Sequence, residues 1–300
     1  MRCMLALFCL LAASSALAAR VAVVLSGDSA PYQEIHQVLR AHLDGGGNEV
    51  ARLYADDLTT AAMAGSRLVV AVGVGAAESL AALSLRTPVL AVLVPRQWYQ
   101  DSGQALLARD GRSVSAIYLD QPFERQAELI RAAFPEARRV GVLTSGGAAG
   151  VLAELTRALA AQNLTLVHET VAAGVRLTLP LEKVLSATDL LLALPDPQVF
   201  NRNTAQSLFL TSYRYRDPVV GYSSSLTRAG ALLSVHSSPA EVGRQVADWV
   251  TDALRTNSQR LPPPAYPSYF SVSVNDQVAR SLGFVLPPAG ELEKMLGGGR

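Results

Sequence analysis

The sequence predicts an α/β fold in which parallel sheets flanked by helices form two similar lobes. Apolar runs of strand length alternate with stretches of helical spacing along most of the chain. The runs are unbroken rather than alternating, the pattern of strands covered on both faces in a parallel sheet. The strand and helix series occurs twice in 300 residues, a length above that of a usual single domain.

At the amino terminus, Met1-Arg2 supplies a short positive region, Leu5–Ala12 an apolar core and Ala16-Leu17-Ala18 a small-residue cleavage site. Together they predict a secretory signal peptide over residues 1–19. The apolar run is too short before Arg20 for a membrane anchor, which needs about 20 residues. Both cysteines, Cys3 and Cys9, fall in the segment to be removed, so the exported form is expected to hold no disulfide, thiol nucleophile or thiolate metal site. Phe8 precedes Cys9, which speaks against a lipid anchor and for a soluble periplasmic protein.

Strands follow at Val21–Leu25, Val50–Leu53, Leu68–Val72, Val89–Val92 and Val114–Tyr118, with Tyr32, Ile35, Val38, Leu39 and Leu43 at helical spacing between the first two. In an open parallel sheet, ligands bind beyond the carboxyl ends of the strands. That rule singles out Ser26 and Asp28 after the first strand, whereas Ser29 reads better as a helix cap. Gly73 and Gly75 open a helix after the third strand, where amide groups would meet an anion. Trp98, in Arg96-Gln97-Trp98-Tyr99, either walls the cleft or packs under its own loop.

The second series runs through Val140–Leu143, Leu164–His168, Leu190–Ala193 and Val219–Val220, with a helix carrying Val151, Leu152, Leu155 and Leu159. Its strand ends offer Thr144, Ser145 and Gly146, then Asp196, held extended before Pro197, then Tyr222, Ser223 and Ser224. Asn203 and Gln206 have the spacing of a capping box for a helix with Ala205, Leu208 and Phe209. Past Val235 come an amphipathic helix (Val242, Val246, Trp249, Val250, Leu254), the proline-rich Leu261–Pro267, a strand at Tyr269–Val274 and a last helix capped by Asn275.

The LPDP segment at Leu194–Pro197 and the tail Phe270–Leu286 (FSVSVNDQVARSLGFVL), with LVVAVG at Leu68–Gly73 and PEARRVGVL at Pro135–Leu143, resemble the ABC-transporter substrate-binding family of periplasmic proteins. These are type I two-lobed binding proteins and include aromatic-amino-acid binders. The resemblance implies three crossings between lobes, with hinges near Tyr118–Gln121, Leu232–Ser237 and Tyr269–Ser273. It implies a first lobe of residues 20–117 plus about 236–268, a second of 118–235 plus about 269–288, and a tail at 289–300. It implies capture of a small polar, amino-acid-like or aromatic molecule and delivery to an inner-membrane ABC permease by a monomer. Family members that bind aromatic amino acids carry Asp-Asn where this chain has Asp196-Pro197, and an acidic residue soon after the serine corresponding to Ser145. A ligand's α-amino group therefore has fewer expected partners here, and the solute's identity does not transfer.

Other classes fit less well. A net charge of +1 offers no basic footprint for nucleic acid. The Gly73-Val74-Gly75 pattern has Glu78 where a dinucleotide fingerprint has its third glycine, so no cofactor is expected. His36, His42, His168 and His236 are scattered, with no metal spacing and no G-x-S-x-G, so neither a metal nor catalytic residues are expected. His36 and His42 read as solvated residues on the first helix. A sensor partner of a membrane receptor and a secreted hydrolase remain the alternatives. Asp196→Ala is expected to abolish binding and leave the fold intact.

Overall fold

The computed structural model describes residues 19–44, 47–172, 176–256 and 258–298. All of the expected signal segment except Ala19 lies outside them, as do Cys3, Cys9 and Gly299.

The first half consists of β1 (Arg20–Leu25), α1 (Ala30–Leu43), β2 (Glu49–Tyr54), β3 (Ser66–Val72), α2 (Val74–Ala81), β4 (Val89–Val94), α3 (Arg96–Trp98), a π-helical turn over Tyr99–Gly103, α4 (Gln104–Leu107) and β5 (Val114–Tyr118). Its five strands run parallel in the order β2-β1-β3-β4-β5. Buried residues alternate between two layers: Val21, Val23 and Leu25 face Ile35 and Leu39 of α1, and Ala22 and Val24 face Ala76, Ala77 and Leu80 of α2. Continuous apolar runs are needed because both faces are covered.

The second half holds α5 (Phe123–Ala133), β6 (Arg139–Thr144), α6 (Ala149–Ala161), β7 (Thr165–Thr170), α7 (Thr178–Leu185), β8 (Leu190–Leu192), α8 (Arg202–Tyr215), β9 (Val219–Gly221), α9 (Ser224–Ala229) and β10 (Leu233–His236). The chain then returns as α10 (Pro239–Arg255), whose Val242, Val246 and Val250 join the first half's core beside α1. It comes back once more as β11 (Ser271–Val274), followed by α11 (Asp276–Leu282) and α12 (Ala289–Met295). The second sheet has the order β11-β10-β9-β8-β6-β7, parallel except for the antiparallel β10–β11 pair.

The proline-rich stretch runs along the outer edge of β5: Tyr118 N–H donates to the Ala265 carbonyl at 3.0 Å and Ala265 N–H to that of Ala116 at 2.9 Å. Prolines suit such an edge because no further strand needs their missing N–H. The three crossing segments are joined to one another. Gln121 Nε2 donates to Ser237 Oγ at 2.8 Å, and Ser237 Oγ donates to the Tyr269 carbonyl at 2.6 Å.

Three expectations are corrected. The cap of α8 is Asn201, paired with Thr204 rather than Asn203 with Gln206: Asn201 Oδ1 accepts from the amides of Asn203 and Thr204, and Thr204 Oγ1 accepts from the Asn201 amide. His36 is buried, because α1 packs against both β2 and α10; this burial, with Arg52 and Arg40 nearby, lowers its pKa. The helix capped by Asn275 is not the last. The segment expected as a tail contains α12, whose Leu292 is fully buried in the second half's core.

Candidate functional site

Every residue expected from the sequence to contact a ligand lies at or just beyond the carboxyl end of a strand. Along the first sheet, neighbours β1, β3 and β4 present Ser26 and Asp28, Gly73 and Gly75, and Trp98. Along the second, neighbours β9, β8 and β6 present Tyr222 to Ser224, Asp196, and Thr144 to Gly146.

Ser26 ties its edge together. Its Oγ donates to the Val72 carbonyl at 2.8 Å and accepts from the Ala76 amide at 2.8 Å, so it serves the first turn of α2. Gly73, the cap residue of α2, has φ 87° and ψ 167°, a region essentially open to glycine alone. A Cβ there would sit 2.6 Å from Ser26 Oγ and 2.9 Å from the Tyr32 hydroxyl. Gly75 is exposed in the same turn. The exposed Asp28 carboxylate accepts from Gln33 Nε2, which also donates to the Tyr54 hydroxyl at 3.0 Å. Trp98 is half-buried, its ring over Gly103, where a Cβ would lie 2.5 Å from it; it packs against the first half's core.

On the second edge, Asp196 joins two turns. Its Oδ2 accepts from the Ser145 amide at 2.7 Å and its Oδ1 from the Gln198 amide at 3.0 Å. Thr144 is buried, its Oγ1 2.9 Å from His168 Nε2; burial pushes the His168 pKa down against the charge of Glu169. Gly146 has φ 113° and open space around its Cα. Tyr222 meets Phe200 edge to face at 6.4 Å, and burial raises its pKa. Ser223 Oγ caps α9 by accepting from the Leu226 amide, and Ser224 begins that helix.

A second cluster joins the halves. Arg96, the first residue after Pro95 at the end of β4, donates Nη2 to Glu154 Oε2 at 2.6 Å and Nη1 to Glu154 Oε1 at 3.3 Å; Glu154 lies on α6, which follows β6. Arg96 N–H donates to Asp120 Oδ2 at 2.6 Å. Burial pushes the Asp120 pKa up, against the pull of that amide and of the guanidinium. Tyr118 packs against Tyr99 at 5.9 Å and edge-on to Tyr266 at 5.4 Å; burial lifts the Tyr266 pKa to about 12. The Tyr99 hydroxyl is buried without a hydrogen-bond partner. Sequence reasoning noticed Arg96 beside Trp98 and took Tyr118–Gln121 only as a hinge; it did not connect them with Glu154 or Tyr266, since no spacing relates them. Among the described residues, no group of three or more His, Cys, Asp or Glu side chains is arranged to hold a metal ion. No helix there is long and apolar enough to cross a membrane.

Residues 54–289 match the family model described as ABC transporter substrate binding protein. The chain belongs to that family. This is a family of solute-binding proteins, not of enzymes. No curated protein matches the chain. Among solved structures, it is similar to a ligand-free, open substrate binding protein with adhesive properties from Clostridium difficile, with 15% identity, 90% of this chain and 96% of that one covered, and a TM-score of 0.72. An ABC domain in complex with L-Trp from Streptococcus pneumonia gives 17% identity, coverage of 94% and 99%, and a TM-score of 0.61. A periplasmic ribose ABC transporter protein from Conexibacter woesei gives 13%, coverage of 92% and 97%, and 0.56. The two-sheet α/β architecture of this family member is thus that of type I periplasmic binding proteins.

Proposed function

We propose that this protein captures a small polar, amino-acid-like or aromatic molecule by closing two lobes on it and delivers it to an inner-membrane ABC permease. One observation carries the reading. Each sheet presents polar turns on three neighbouring strand ends, and the Arg96–Glu154 pair brings the carboxyl edge of the first sheet to the helix leaving that of the second. Ligands in open parallel sheets bind at such edges, and closure between two halves excludes water from them. In this reading the lobes are residues 20–117 with about 236–268, and 118–235 with about 269–288.

The proposed contacts are Ser26, Asp28, Gly73, Gly75 and Trp98 from one lobe, with Thr144, Ser145, Gly146, Asp196, Tyr222, Ser223 and Ser224 from the other. The L-Trp complex of the Streptococcus relative supports including aromatic amino acids among the solutes tested. Residues 1–19 act as an export signal, and the mature protein works in the periplasm as a monomer.

Native mass spectrometry of the protein purified from the periplasm tests this reading. A co-purified small molecule, released unchanged on denaturation, is expected. Chemical turnover of the bound molecule, or failure of any solute to raise the melting temperature, would overturn capture.

A further inference from the structure

Arg96 stands out among the charged groups of the cleft because its partner lies on the opposite half. Its side chain is 15% exposed, and that of Glu154 37%. The pairs Arg20–Glu49, Arg139–Asp189, Lys183–Glu169 and Arg214–Glu182 each stay within one half. Any opening of the cleft pulls Glu154 away and leaves a guanidinium set among Tyr118, Tyr266 and Asp120 without its two-pronged acceptor. The backbone leading to Arg96 is strained: Leu93 has φ 52°, and the β4–β5 register shifts between Val92 and Val94. A leucine adopts that conformation only where surrounding structure imposes it, and such residues gather at ligand clamps.

We propose that Arg96 is the receptor for a carboxylate of the captured solute, and that Glu154 holds its place until the solute arrives. The inference rests on the solute-capture reading above. A planar guanidinium donates two parallel N–H bonds to a carboxylate, and this is how it already holds Glu154. The exchange conserves charge, because one monoanion leaves for water as another enters. Asp120 does not compete, since its Oδ2 is engaged by the Arg96 backbone amide. A phosphate dianion would bring a second negative charge beside Asp120. The Gln100 Oε1 that accepts from Nη1 at 3.0 Å keeps the guanidinium in place through the exchange.

Titration calorimetry on the full mature protein tests the assignment. The probes are L-tryptophan, L-phenylalanine, phenylacetate and succinate, each against its carboxamide, together with phenyl phosphate and D-ribose. The acids are expected to bind at least about tenfold more tightly than their amides. Arg96→Gln should erase that preference, and Arg96→Lys, which keeps charge but not the fork, should retain part of it. Glu154→Gln should tighten acid binding by roughly three- to tenfold, with amide binding unchanged, because the internal competitor is gone. Amides, ribose or phenyl phosphate binding as tightly as the acids would overturn the role of Arg96 while leaving solute capture standing. So would an acid preference that survives in Arg96→Gln, or unaltered acid affinity in Glu154→Gln. If no probe binds at all, solute capture falls and the carboxylate assignment falls with it.

Discussion

Replacing Asp196 by alanine removes a carboxylate that accepts two backbone hydrogen bonds, from Ser145 at 2.7 Å and Gln198 at 3.0 Å. Bonds of this kind, with a charged acceptor, contribute about 1.5–3 kcal/mol each when well buried. The Gln198 amide is exposed and water replaces its lost partner, so its share is small; the Ser145 amide lies deeper between the β6 and β8 ends. The expected total loss is about 2 kcal/mol, and at about 2–4 °C per kcal/mol for a chain of this size the melting temperature should fall by roughly 4–8 °C. The Asp196→Ala variant is therefore expected to lose stability as well as the proposed ligand contact, because the carboxylate also braces a turn. Calorimetric melting and ligand titration on the same preparation separate the two roles. Asp196→Asn, which keeps one acceptor oxygen, should recover part of the melting temperature. A melting temperature within about 1 °C of wild type in Asp196→Ala would refute the bracing role. A lowered melting temperature with unchanged affinity would leave Asp196 as scaffold only.

Asp217 is buried at the end of α8, and desolvation, with Asp189 nearby, raises its pKa to about 7 against the opposing effects of Thr188 and Arg139. Because the folded value lies above the unfolded one, its contribution is fully present below about pH 4 and is lost as pH rises through about 7, amounting to on the order of 2–4 kcal/mol. Asp217→Asn, whose amide oxygen can still accept from Thr188 Oγ1, should flatten the stability profile between those limits and melt higher than wild type at pH 8; urea unfolding across the range checks this. Gly73→Ala should cost about 1–3 kcal/mol for the backbone alone and disturb the Ser26 bond to α2, so both melting temperature and ligand affinity should drop. Ser237→Ala cuts two of the bonds that tie the three crossing segments, and small-angle scattering of the ligand-free variant should give a larger radius of gyration than wild type. An unchanged radius would mean that the tie does not restrain the hinge.

Much of the fold was legible because burial on two faces leaves a plain signature, as in Leu190–Ala193 and Val89–Val92, and because strand ends predict where turns collect. The shift of the α8 cap from Asn203 to Asn201 was not legible. Two asparagines stand two residues apart, and which one caps depends on Thr204 reaching back to the Asn201 amide. Helix α12 was hidden by Pro287-Pro288 before it and glycines after it, since its anchoring rests largely on Leu292 packing in the second half's core. The proposed cleft residues were found by strand-end position. The Arg96–Glu154 pair was not, because 58 residues and a change of sheet separate two side chains that carry no motif.

Helix α10 has a consequence for how the chain is made. Its Val242, Val246 and Val250 complete a core begun by Val21, Ile35 and Leu39. A ribosome therefore releases the entire second sheet up to β10 before the first acquires its cover. Until then the apolar flank of α1 and β1 stays open to water and to chaperones. Any chain cut short before Pro239 leaves both halves unfinished, since the second core also waits for Val272 of β11 and Leu292 of α12.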